Sequence, residues 1–314
     1  MTKRSVPTEQ LVALGATRPL VESYPSRDTE VGALKVSRAL PVKGRRMIGP
    51  WCFLDRYGPL AFSDGRPMDV APHPHIGLQT VTWLLEGEVV HDDSLRCEAV
   101  ARPGAVNVMT SGRGIAHAER TPSANSGRLN GIQLWAALPD AHRQITPSFQ
   151  HVAQVPISER PEGLVQIFAG EISGASSPAR HYSEILGADV RVHPGHTLTL
   201  PLRSEYEYAV LVLAGDCIVN GQLLEERVLY YLGSRRSEVA FRSRAGGRLL
   251  LIGGPPFPET IVMWWNFVAR TPEEIVKART DWEERRLFGD VPAYDGPRLP
   301  APSLTGLARP NPLS

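Results

Sequence analysis

Apolar residues come in short bursts along this chain, at a spacing of roughly ten residues, and each burst is broken by Gly, Pro, Asn or Asp. The bursts run from Val31 to Ala39, Thr80 to Leu85, Ala105 to Met109, Gly131 to Ala136 and Leu164 to Phe168. They resume at Thr197 to Leu202, Tyr208 to Leu213, Val228 to Leu232 and Gly247 to Ile252. Such regular short segments predict an all-β sandwich or barrel with few helices. The clearest helix is late: Thr271 can cap it, Pro272 suits its first position, and Glu274 completes a capping box ahead of Ile275, Val276, Ala278 and Trp282.

Two stretches resemble each other. TVTWLLEGEVV leads through a polar hairpin to Pro103-Gly104 and AVNVMTSGRG, while YAVLVLAGDCIVNG leads to RVLYYLGS and GRLLLIGG. Duplication into two β-barrels explains the pair and the length of 314 residues, which is twice an ordinary domain. The expected division is an N-terminal extension over 1–30, a first barrel over 31–145 and a bridging segment over 146–185. A second barrel with the helix follows over 186–296, and a Pro-rich tail over 297–314 lies along the surface.

Composition narrows the function classes. With 34 basic and 33 acidic residues the chain has no electrostatic footprint for direct contact with nucleic acid. Cys52, Cys97 and Cys217 are odd in number and match no zinc or disulfide spacing, which suggests a cytoplasmic setting. No apolar run is long enough for a membrane span.

The histidines carry the chemistry. In APHPHIGLQ, His73 and His75 stand two apart at the head of a strand, so both imidazoles share a face. His117 and Glu119 in GRGIAHAER have the same relation, and two such pairs on neighbouring strands inside a barrel would set three imidazoles and a carboxylate around one ion. With no thiolate, this donor set suits Fe(II), Mn(II), Ni(II), Cu(II) or a catalytic Zn(II). Counting back from Gly87 and Gly215 as equivalent turns, Arg203 and Pro201 replace His75 and His73, and GRLLLIGG replaces the second pair. The second barrel therefore lacks the site. A spacing of three keeps His193 and His196 off one strand face, which makes them turn or surface residues.

The runs HPHIGLQTVTWLLEG, then His91 to Ser94, then PGAVNVMTSGRGIAHAE closely resemble the pirin family of the cupin superfamily, as do the later GGPPFPETIVMWWNFVART and AYDGPRLPAP. The resemblance covers about Val31 to Pro302. It implies two cupin barrels facing each other, with one iron in the first, held by His73, His75, His117 and Glu119. It further implies one of two roles. The first is an iron-dependent dioxygenase that opens the ring of a flavonol such as quercetin with O2, releasing carbon monoxide. The second is a redox-responsive protein that binds a protein partner, such as a transcription factor.

Other residues have an expected place near this site. Glu119 could be a metal ligand or the base that takes a substrate hydroxyl proton. His91 and Asp93 either orient a ligand imidazole or form a solvated hairpin tip. Gln79 stands where related barrels carry a glutamate and is expected beside the ligands. Phe53, Trp83 and Met109 either wall a pocket for a flat aromatic ligand or belong to the core, and Arg113 is a candidate for steadying an anion. Cys97 is a bystander unless its surroundings activate it. Trp264, Trp265 and Asn266 are expected to pack the C-terminal segment onto the barrels.

Overall fold

The computed structural model describes residues 21–304, apart from 33, 64 and 66. Positions 1–20 of the expected N-terminal extension and 305–314 of the Pro-rich tail lie outside the described residues. Strands dominate, and the helix Pro272–Glu283 comes last. No helix among the described residues is long and apolar enough to cross a membrane.

Two antiparallel barrels share one plan, each made of a seven-stranded and a four-stranded sheet. In the first large sheet the neighbours are Ser148–Val152, Val106–Thr110, Leu78–Gly87, Arg128–Ala137, Trp51–Ala61, Leu34–Leu40 and Arg27–Val31. In the second they are Glu22–Pro25, Val228–Gly233, Glu207–Gly215, Gly247–Gly254, Leu186–Val192, Gly163–Ala169 and Ile157–Arg160. The small sheets are Asp69–His75, Ile115–Arg120, Val89–Asp93 and Glu98–Ala101 in one barrel, and Thr197–Pro201, Glu238–Arg242, Cys217–Val219 and Gln222–Leu224 in the other. Gly87 and Gly215 are equivalent in this plan: a Cβ on either would sit 2.1 Å from a carbonyl oxygen, of Arg128 and of Gly246 respectively.

Sheet membership redraws the expected boundaries. Glu22–Pro25, inside the expected N-terminal extension, pairs with Val228–Gly233 as an edge strand of the second barrel. The stretch 146–185 gives Ser148–Val152 to the first sheet and Ile157–Arg160 and Gly163–Ala169 to the second. The sequence spacing placed the helix with the second barrel, but it packs on the first: Ile275, Ala278 and Trp282 join Ala116 and Ala118 in one buried cluster. Thr271 caps this helix as expected, accepting from the Glu274 N–H, and the Glu274 carboxylate accepts from Arg270 N at 2.8 Å.

The strand Leu78–Gly87 is buried along nearly its whole length because each face meets a different partner. Its odd positions Val81, Trp83 and Leu85 join Phe168, Leu211, Leu229 and Ile252 in the core between the barrels. Polar contacts fasten the same seam. Trp83 Nε1 donates to Asp189 at 3.0 Å, and that fully buried carboxylate also takes the Arg248 guanidinium. Arg56 donates to the carbonyls of Val212 and Leu213 at 3.1 and 2.6 Å. The stacking of Trp83 on Phe168, centroids 5.2 Å apart, assigns Trp83 to the seam rather than to a pocket wall. Trp83→Phe is expected to lower unfolding stability by at least about 1.5 kcal/mol through loss of a hydrogen bond to a charged acceptor, measured by urea denaturation; an unchanged midpoint would show that the seam does not need it.

Candidate metal centre

The even positions of the same strand face into the first barrel, and the small sheet closes over them. On that sheet His73 lies directly opposite His117, and His75 lies opposite Ile115. A period of two keeps His73 and His75 on the inner face, as the spacing implied. The outer face is covered by the cluster containing Ala116, Ala118, Phe267 and Trp282, so the strands that carry the histidines are buried on both sides. Gly77, in the turn after His75, has φ +69°, and a Cβ there would lie 2.0 Å from the Val268 carbonyl oxygen. This close approach docks the C-terminal hairpin, Val262–Trp264 and Phe267–Ala269, beside His75.

One nitrogen from each of His73, His75 and His117 lies within 4.8 Å of the others, the one such group among the described residues. His75 Nε2 and His117 Nε2 are 3.0 Å apart. In each ring the other nitrogen is already engaged. His73 Nδ1 donates to Ala71 O at 2.9 Å and His75 Nδ1 to Asn266 O at 3.1 Å, and since a carbonyl only accepts, both rings carry their proton on Nδ1. His117 Nδ1 lies 3.3 Å from His91 Nδ1, and His91 Nε2 lies 3.1 Å from the Asp93 carboxylate. The carboxylate accepts a hydrogen bond from His91 Nε2–H, and the Nδ1 of this neutral imidazole then accepts from His117 Nδ1–H. All three Nε2 lone pairs are thereby bare and converge, two of them at a separation that only a proton or a cation between them relieves.

Electrostatics agree with this assignment. Burial lowers the pKa of His73 to about 4. Burial, then the neighbouring imidazoles, drives His75 and His117 well below the usual histidine value. Neutral imidazoles are the form a metal requires. The donor set fits a divalent transition metal, and these residues can hold one.

Glu119 faces the same cavity but falls outside the 4.8 Å cluster. Its carboxylate accepts from Thr82 Oγ1 at 3.4 Å, and burial raises its pKa against the opposing influence of His91 and Thr82.

The cavity has a volume of about 530 Å³, within the range of small-molecule sites. Phe53 and Trp135, stacked with centroids 4.0 Å apart, form part of its wall, and Trp135 meets His75 edge-on at 5.2 Å. The Arg38 guanidinium lies 4.5 Å over the Phe53 ring and pairs with Asp55 through two contacts of 2.7 Å. Trp265 and Asn266 also line the cavity. They are the two loop residues of the C-terminal hairpin, and Trp265 has φ +50°, a conformation that costs a bulky residue about 1–3 kcal/mol.

Several expected neighbours lie elsewhere. Gln79 occupies the opposite face of its strand and bonds Thr110 Oγ1, Arg180 O and His181, because the period of two turns it toward the second barrel. Met109 is buried beside Phe149 and off the cavity, and Arg113 is an exposed turn residue whose guanidinium donates to Thr146 Oγ1. His91 and Asp93 are buried, which excludes the solvated hairpin tip. Burial and then Asp93 raise the Cys97 thiol pKa, which disfavours the thiolate. His193 and His196 are exposed. In the second barrel the correspondence drawn by counting residues needs correction. Five residues separate Thr197–Pro201 from Glu207–Gly215, against the two-residue link Ile76-Gly77 in the first barrel, so Pro201 and Arg203 are not the equivalents. Leu198, Leu200, Val239 and Phe241 fill the inner face of the second small sheet instead, and its interior is apolar.

Paired barrels of this kind, with histidines on the inner face of one small sheet, define a double-barrelled cupin. Residues 33–136 match the family description Pirin and residues 187–288 match the Pirin C-terminal cupin domain. The chain belongs to the pirin family. A crystal structure titled quercetin 2,3-dioxygenase from Acinetobacter baumannii is similar at 40% identity with a TM-score of 0.89, covering 92% of this chain and 97% of that one. A Pseudomonas aeruginosa protein named as a candidate quercetin 2,3-dioxygenase is 43% identical over 287 residues, 91% of each chain. A bacterial pirin from Escherichia coli, solved in complex with nickel(II), shares the fold at 17% identity with a TM-score of 0.60, covering 76% of this chain and all of that one.

The His91 relay can be isolated. His91→Phe keeps a flat ring against Phe149, whose centroid is 4.2 Å away, but cannot accept from His117. Divalent-metal affinity should fall about 10–100-fold by competition with a chromophoric chelator. An unchanged affinity with an unchanged circular dichroism spectrum would show that the relay does not orient His117.

Proposed function

We propose that this chain is an iron-dependent dioxygenase acting on a flavonol or a similar phenolic small molecule. The observation that carries the reading is the convergence of three bare imidazole nitrogens in a cavity with an aromatic wall. Its support from relatives is the name shared by the Acinetobacter and Pseudomonas proteins.

His73, His75 and His117 would hold the ion, with Glu119 as a fourth ligand or as the acceptor of a substrate proton. Bound iron(II) would supply Lewis acidity and electron-transfer chemistry with O2. The protein's own groups do the rest. Phe53 and Trp135 give the cavity wall an apolar, aromatic part against which an aromatic substrate can pack. The Glu119 carboxylate, which lines the cavity and accepts a hydrogen bond from Thr82, would take a phenolic or enolic hydroxyl proton there. The burial of His73, His75 and His117, at 6%, 1% and 1% exposed, suits chemistry on a small molecule held inside the cavity.

The test is aerobic loss of flavonol absorbance with iron-loaded protein. Turnover should exceed that of free iron and be abolished in His75→Ala. Activity equal to free iron, or undiminished in the variant, would reject the dioxygenase reading for this substrate.

A further inference from the structure

The backbone at Trp265 stands out among the site residues. Trp264 pairs with Phe267, so Trp265 and Asn266 form a two-residue hairpin loop. A positive φ at the first loop position is the place for glycine, since any Cβ is strained there. This chain puts its largest side chain at that position. Of the described non-glycine residues with positive φ, Trp265 alone lines the metal cavity. The half-buried indole is held edge-on against the buried Phe267, centroids 5.4 Å apart, and the next residue supplies the carbonyl that orients His75.

We propose that Trp265 is a specificity-determining residue: its indole is a wall of the substrate cavity that selects extended, multi-ring aromatic substrates, and the strained turn serves to present that indole. Phe53 and Trp135 line the cavity from the first barrel, and Trp265 lines it from the C-terminal hairpin. A substrate of several fused or linked rings gains from both surfaces, whereas a single ring is served by one. This inference rests on the reading of the cavity as the substrate site.

Trp264 provides the control. It too is half-buried and contacts Phe267, at 6.2 Å, but it sits in regular strand and does not line the cavity. Trp264→Gly and Trp265→Gly therefore remove the same side chain from adjacent positions, and only the second relieves a strained φ. Quercetin and catechol are titrated anaerobically into the metal-loaded proteins, and each variant is unfolded in urea. Trp265→Gly should weaken quercetin binding about tenfold and leave catechol binding unchanged, and its urea midpoint should lie above that of Trp264→Gly, which should bind quercetin like the native protein. Unchanged quercetin affinity in Trp265→Gly, an equal loss for both ligands, or a midpoint at or below that of Trp264→Gly would overturn the proposal. Quercetin binding without turnover in the native protein would reject the dioxygenase reading alone, and absence of quercetin binding would reject both.

Discussion

Everything at the centre of this protein depends on where three protons sit. An imidazole has two nitrogens, and a buried histidine ligates a metal only if the nitrogen aimed at the ion carries no hydrogen. Here the Ala71 and Asn266 carbonyls and the His91–Asp93 pair each occupy an Nδ1, leaving three Nε2 lone pairs to converge. These partners come from three separate pieces of chain, one of them the C-terminal hairpin, with a sequence separation of 191 between Asn266 and His75. The fold around the first barrel can be understood as the means of bringing them together.

The two barrels show what the same framework does without that requirement. Leu198, Leu200, Val239 and Phe241 occupy the inner face of the second small sheet and make an ordinary apolar core. The first barrel replaces such a core with buried polar groups, which is unfavourable unless each is paired. It compensates by covering the outer face of the histidine sheet with the helix Pro272–Glu283 and by joining the barrels along a large apolar seam fastened by Trp83 and Arg56.

The all-β class, the duplication, the helix cap and the two histidine pairs were legible because each rests on a local period or a local motif. A spacing of two is enough to put His73 with His75 and His117 with Glu119. What was not legible depends on contacts across the chain. Strand alternation could have told that Gln79 and Trp83 share the face opposite Thr80 and Thr82, but which face meets the second barrel is a tertiary fact. The role of Asn266 lies in its backbone carbonyl, which leaves no residue-type signal. Counting from matched glycines gave the wrong equivalents in the second barrel because the links before the two matched strands differ in length, although the conclusion that it lacks the histidine set survives. The burial of His91 and Asp93 depended on Phe149 and the neighbouring strands, none of which their own short motif encodes.

The most direct measurement of the central claim is the protonation pattern of the histidines in protein loaded with diamagnetic zinc, read by long-range proton–nitrogen NMR correlation. The account predicts that His73, His75 and His117 carry hydrogen on Nδ1 and bind through Nε2, and that His91 carries hydrogen on Nε2. A hydrogen on Nε2 of any of the three, or zinc bound at other residues, would contradict it.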